Sequence, residues 1–95
     1  QMRLPVELKV GNLVTASRTQ DISIGGAAIR NPRKQFGPGE SIQVSFDFGG
    51  RDRITVPSTV VRTSKGNSLL HMRFSQVEDG TRHRLFRAIM KSSAK

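Results

Sequence analysis

Three residues at close spacing, Asp21, Ser23 and Gly26 in Gln20-Asp21-Ile22-Ser23-Ile24-Gly25-Gly26, form the densest candidate for chemistry in this chain. In an extended segment, residues two apart project to the same side, so Asp21 and Ser23 face either one ligand or one turn. An ionised carboxylate accepts two donors at once, which suits the paired N–H groups of a guanine Watson–Crick edge. The serine hydroxyl can donate to a phosphate or hold the local turn. Gly25 and Gly26 leave backbone N–H groups uncovered for close approach, as in phosphate-binding nests. The same residues also make an Asx or Ser turn that needs no ligand. Spacing alone leaves both readings open.

A second candidate is Arg3, at the mouth of the first strand in Arg3-Leu4-Pro5-Val6. An arginine fork matches a phosphate or the O6 and N7 acceptors of guanine, although an exposed strand-end arginine needs no partner. The other basic residues, among them Arg30, Arg33, Lys34, Arg51, Arg53, Arg62 and Arg73, are scattered and read as solvated surface. Sixteen Lys and Arg against seven Asp and Glu give a net charge of +9 in 95 residues. Such a domain attracts phosphates on nucleic acid, lipid head groups or a nucleotide, and composition does not choose among them.

Other chemistries find little support. With no cysteine, disulfides, thiolate catalysis and zinc–thiolate sites are excluded from these residues. His71 and His83 are too few for a metal site and read as surface residues. Asp21, Ser23 and His71 include the residue types of a hydrolase triad, but a triad is defined by geometry and not by content. The five phenylalanines fall mostly at core-facing periods, with no Tyr or Trp to extend a stacking platform. No apolar run approaches the ~20 residues of a membrane-spanning helix.

The elements that position these residues follow from periodicity. Leu4, Val6, Leu8 and Val10 alternate with Pro5, Glu7 and Lys9, the pattern of a half-buried strand. Gly11-Asn12 turns the chain into a returning strand over Leu13 to Arg18, followed by a polar corner from Gln20 to Gly26. A short strand over Ala27 to Ile29 leaves that corner, and Asn31 to Glu40, with Pro32, Gly37, Pro38 and Gly39, reads as a loop. Ile42, Val44, Phe46 and Phe48 mark the clearest strand. Ile54 to Arg62 forms the next, with Pro57 suggesting an edge or a bulge. Lys65-Gly66-Asn67 makes a hairpin into the strand of Leu70, Met72 and Phe74. Leu85, Phe86, Ile89 and Met90 then recur at helical spacing, with Asp79 or Thr81 as cap. The expectation is a mainly β domain over 1–95, with six short antiparallel strands between about residues 4 and 74. A C-terminal helix follows over about 80–92, and the strands close into a small barrel or sandwich.

Arg3-Leu4-Pro5-Val6, then Thr19-Gln20-Asp21-Ile22-Ser23-Ile24-Gly25-Gly26-Ala27-Ala28-Ile29, then Gly37-Pro38-Gly39-Glu40 before the alternating strand, resemble a PilZ domain over almost the whole chain. That family binds cyclic di-GMP through an RxxxR motif and a [D/N]xSxxG motif. Asp21, Ser23 and Gly26 match the second motif. Arg3 matches the second arginine of the first motif, whose first arginine would precede Gln1. The resemblance implies a six-stranded antiparallel β-barrel with a C-terminal helix. It also implies cyclic di-GMP as effector, held by Arg3, Asp21, Ser23 and Gly26 with Gly25 as a further candidate, and no catalytic residue, metal or further cofactor. Ile54 to Arg62, the Phe74 strand and the helix resemble more narrowly the PilZ domains of bacterial cellulose synthases. The implied parent polymerises UDP-glucose at the cytoplasmic side of the inner membrane. The implied partner is a glycosyltransferase domain of the same chain, with no nucleic acid and no membrane contact by the domain itself. The expected mechanism is a switch in which ligand draws the Arg3 segment against the barrel. The alternative from another class is a small nucleic-acid-binding β-barrel, disfavoured by the few aromatics and by Asp21 at the site.

Overall fold

Alternating apolar residues curl six antiparallel strands into a closed barrel in this computed structural model, which describes residues 3–93. The strands are β1 (Pro5–Val10), β2 (Leu13–Ile22), β3 (Gly26–Arg30), β4 (Ser41–Asp47), β5 (Arg53–Ser64) and β6 (Leu69–Phe74), followed by helix α1 (Asp79–Ser93). Their order around the barrel is β1-β2-β3-β6-β5-β4, with β4 closing back onto β1. Inward residues fill the barrel: Leu8, Ile29, Val44, Phe46, Val56 and Leu70 are completely buried. Each such side chain stabilises the fold by roughly 1.5–3 kcal/mol. The Phe46 and Phe74 rings meet edge to face at 5.7 Å.

Several elements differ from the sequence expectation, each for a physical reason. The polar corner is shorter than Gln20 to Gly26, because β2 continues to Ile22, which is buried. Pro57 lies on no edge, since the barrel is closed, and the bulge of β5 falls at Val61 instead. The N–H and C=O of one strand residue face the same neighbour. The Pro57 carbonyl accepts from Ser75 N–H just past the last β5–β6 pair, Ser58 with Phe74, so the missing donor faces a place where β6 has ended.

The 31–40 loop contains a short 3-10 turn at Pro32–Lys34. It is tied down by buried Asn31, whose Nδ2 donates to the carbonyls of Phe36 and Asn67 and whose Oδ1 accepts from Phe36 N–H. The helix buries a different stripe from the one its largest residues suggest. Leu85 and Ala88 enter the core and Ile89 packs against it, while Phe86 and Met90 are more than half exposed. A helix resting mainly along one strand, β5, needs only a narrow apolar stripe, and Phe86 and Met90 fall outside it.

Candidate ligand-binding face

Two β-bulges interrupt the barrel among the described residues, and they flank one outward-facing row. On β2, Thr19 pairs with Ile29 and Asp21 with Ala28, which leaves Gln20 as the extra residue. Thr19 is buried, so strict alternation would send Asp21 inward and Ile22 outward. The bulge reverses this: Asp21 is exposed and Ile22 enters the core. On β5, Val60 pairs with Met72 and Arg62 with His71, which leaves Val61 as the extra residue. Val60 is buried, and without the bulge Arg62 would point into the barrel. Instead both Val61 and Arg62 are exposed.

Ala28 of β3 pairs with His71 of β6, so the row runs Asp21, Ala28, His71, Arg62 across four strands. At ~4.8 Å between strands, Asp21 and Arg62 stand about 14 Å apart across the sheet, with Ala28 and His71 between. Asp21, Ser23, Gly26, Ala28 and His71 line an open cavity of about 260 Å³ on this face. Its chemistry is mixed. Asp21 Oδ1 accepts from Ile22 N–H at 2.9 Å, and no other protein partner of this carboxylate occurs among the described residues. His71 Nε2 lies 2.8 Å from Ser64 Oγ. Burial, together with the nearby positive charges of Arg62 and Lys65, holds the imidazole below its ordinary pKa. Arg73, exposed and paired with Gly26, adds a positive charge beside the cavity.

The residues singled out from sequence separate into groups here. Asp21, Ser23 and Gly26 are brought to one cavity. Ser23 also makes the turn that spacing alone allowed: its N–H and its hydroxyl both donate to the Gly26 carbonyl, at 2.9 and 3.2 Å. Gly26 has a packing reason of its own, because a Cβ there would run into the Met72 carbonyl oxygen on β6. Gly25 has open space around its Cα and lies outside the cavity lining. Its carbonyl accepts from Phe74 N–H at 3.0 Å and so pins the corner to the end of β6.

Arg3 is exposed just before β1 and does not line the cavity. Its neighbour Leu4 is stapled to Thr19, Leu4 N–H donating to Thr19 Oγ1 at 2.7 Å and Thr19 N–H to the Leu4 carbonyl at 2.9 Å. Continuing that antiparallel register sets Arg3 beside the bulge that carries Asp21. Arg62 and His71 were missed from sequence as members of this face. Alternation placed His71 on the outside, but nothing in the chain said that β6 would lie next to β3.

Comparisons with known proteins agree with this architecture. A search of the curated proteins finds no match. Among solved structures, the chain is similar to the PilZ domain of CeSA from a cellulose-synthesizing bacterium. The identity is 19%, the alignment covers 96% of this chain and 97% of that one, and the TM-score is 0.70. It is also similar to the PilZ domain of YcgR from Escherichia coli, solved with cyclic di-GMP, at 18% identity, 98% and 89% coverage and a TM-score of 0.71. At these identities the likeness speaks for the fold. The family model described as PilZ domain matches residues 1–91, and with the closed six-stranded barrel and its C-terminal helix this establishes that the chain belongs to the PilZ domain family.

Proposed function

We propose that the bulged face of the barrel binds cyclic di-GMP and that the domain acts as a regulatory module. The carrying observation is that two separate bulges turn one carboxylate, Asp21, and one guanidinium, Arg62, onto the same face, across a floor of Gly26 and Ala28. A guanine needs an acceptor for its N1–H and N2–H donors, and a phosphodiester needs a fork of N–H donors. Asp21 supplies the first, and Arg62 at the far end of the row, together with Arg3 on the Asp21 side beside the β2 bulge, supplies the second. Ser23 and Gly26 shape the corner between them. The YcgR domain solved with the same dinucleotide supports this choice of ligand.

Ligand engaging Arg3 would fix the segment that leads into β1 and alter what that segment touches in a neighbouring domain. The likeness to the CeSA domain favours a glycosyltransferase neighbour that polymerises UDP-glucose at the cytoplasmic side of the inner membrane. The domain's own part in such a protein is binding and not catalysis.

Calorimetric titration with cyclic di-GMP and, separately, with a generic single-stranded oligonucleotide tests the reading. Saturable dinucleotide binding is expected, reduced strongly in Arg3→Ala. Arg87→Ala and Lys91→Ala, on the helix, should stay within about twofold, because distant surface charges are screened over ~8–10 Å. Tight oligonucleotide binding that weakens equally in all three variants would instead favour the nucleic-acid reading.

A further inference from the structure

His71 lies inside the row that the two bulges create and is neither the guanine acceptor nor part of the arginine fork. It stands between Ala28 of β3 and Arg62 of β5, is partly buried, and lines the same cavity as Asp21 and Ser23. Its orientation is fixed on one side by Ser64, two residues beyond Arg62 on the same strand. With Nε2 engaged at 2.8 Å, the nitrogen without a protein partner among the described residues is Nδ1. When Ser64 Oγ–H donates to Nε2, the neutral ring carries its proton on Nδ1. When the ring is protonated, Nε2–H donates to Ser64 and Nδ1–H remains. Nδ1 can thus donate in both charge states. A fixed donor beside a guanidinium is an arrangement that suits an anionic oxygen.

We infer that His71 is a further binding residue of this face, donating from Nδ1 to a phosphate oxygen of the bound dinucleotide beside Arg62. The inference rests on the cyclic di-GMP reading proposed above. It carries a consequence that no arginine contact would have. The charged and titratable groups around His71 are Arg62 on β5, Lys65 in the following turn, Arg30 on β3, Arg73 on β6 and Asp21 on β2. Burial, Arg62 and Lys65 keep the free ring neutral near pH 7. A phosphate arriving beside Arg62 offsets those positive charges and raises the ring's pKa. A group whose pKa rises on binding takes up a proton with the ligand, so affinity increases as pH falls through that window. The phosphodiesters keep their charge throughout the range.

The test is cyclic di-GMP affinity measured between pH 8 and pH 5.5 for the unaltered domain, His71→Gln and His83→Gln. A gain of about threefold or more toward pH 5.5 is expected for the unaltered domain and for His83→Gln, whose histidine is exposed on α1 and does not line the cavity of Asp21 and His71. A flat profile is expected for His71→Gln. Following the His71 ring proton by NMR in the unaltered domain gives the same answer without a variant: its pKa should rise at saturating ligand. An unchanged pKa with bound ligand, or a pH slope that survives in His71→Gln, overturns the role of His71 and leaves the cyclic di-GMP site standing. Absence of dinucleotide binding at every pH overturns the site itself, and this inference with it.

Discussion

The two halves of this barrel share strands β2 and β5 and a core but treat their outer faces differently. Around β1, β4 and the first half of β5, every pair runs without a register shift, and the outward row is Ala16, Glu7, Ser45, Thr55. There the polar groups satisfy one another: Ser45 Oγ lies 2.8 Å from Thr55 Oγ1, and Glu7 pairs with Arg53 at 3.1 Å. Around β2, β3, β6 and the second half of β5, two bulges produce the row Asp21, Ala28, His71, Arg62. Its two charged ends stand three strand spacings apart with Ala28 and His71 between, so neither can neutralise the other. Regular pairing makes a face that is complete by itself. Bulged pairing makes one whose charges are left for something else, which is where bulges tend to serve function.

Substitutions that strike one half and spare the other put this contrast to the test. The largest stability effect is expected for Gly26→Ala, because the new Cβ meets rigid backbone at the β3–β6 seam and not a side chain that can swing away. Overpacking of that kind costs about 1–3 kcal/mol, readable in urea denaturation. Gly25→Ala, with open space around it, should leave the midpoint nearly unchanged. Equal destabilisation by the two would mean that Gly26 is not held by packing.

Function should divide along a different line. Asp21→Ala should weaken cyclic di-GMP binding by about 1.5–3 kcal/mol, the range for hydrogen bonds to a charged group, with little change in folding. Glu7→Ala removes an exposed ion pair of the regular half. It should cost about 0–1 kcal/mol of stability and leave affinity alone. Matching affinity losses from both would erase the distinction between the faces.

Alternation made the regular half legible in the sequence. Val6, Leu8, Ile42, Val44 and Phe46 announce their strands because each step along an unbulged strand flips one side chain. The Asp21, Ser23 and Gly26 cluster was legible too, since it lies within six residues of chain. What the sequence hid is relational. A bulge is a mismatch between two strands, so neither Gln20 nor Val61 bears a mark of it. That β6 pairs with β3 follows from the barrel's order and not from any local pattern, and it alone brings His71 beside Ala28. Phe86 and Met90 misled for a related reason, because which helix stripe is buried depends on the strand beneath it.

The smallest expected effect concerns acid stability. The folded His71 ring binds its proton less readily than the unfolded chain does. Stability from this source is therefore complete above about pH 6.5, the ordinary value, and declines as pH falls from there through the lower folded value. His71→Gln should remove that part of the decline in denaturation midpoints taken between pH 7.5 and 5. An unchanged decline would assign it to other groups.

The most direct measurement of the central claim is an amide chemical-shift map of the domain titrated with cyclic di-GMP. The account predicts saturable shifts along Asp21, Ser23, Ala28, His71 and Arg62, with the Glu7, Ser45 and Thr55 row undisturbed. Shifts confined to the regular half, or spread evenly over both faces, would contradict it.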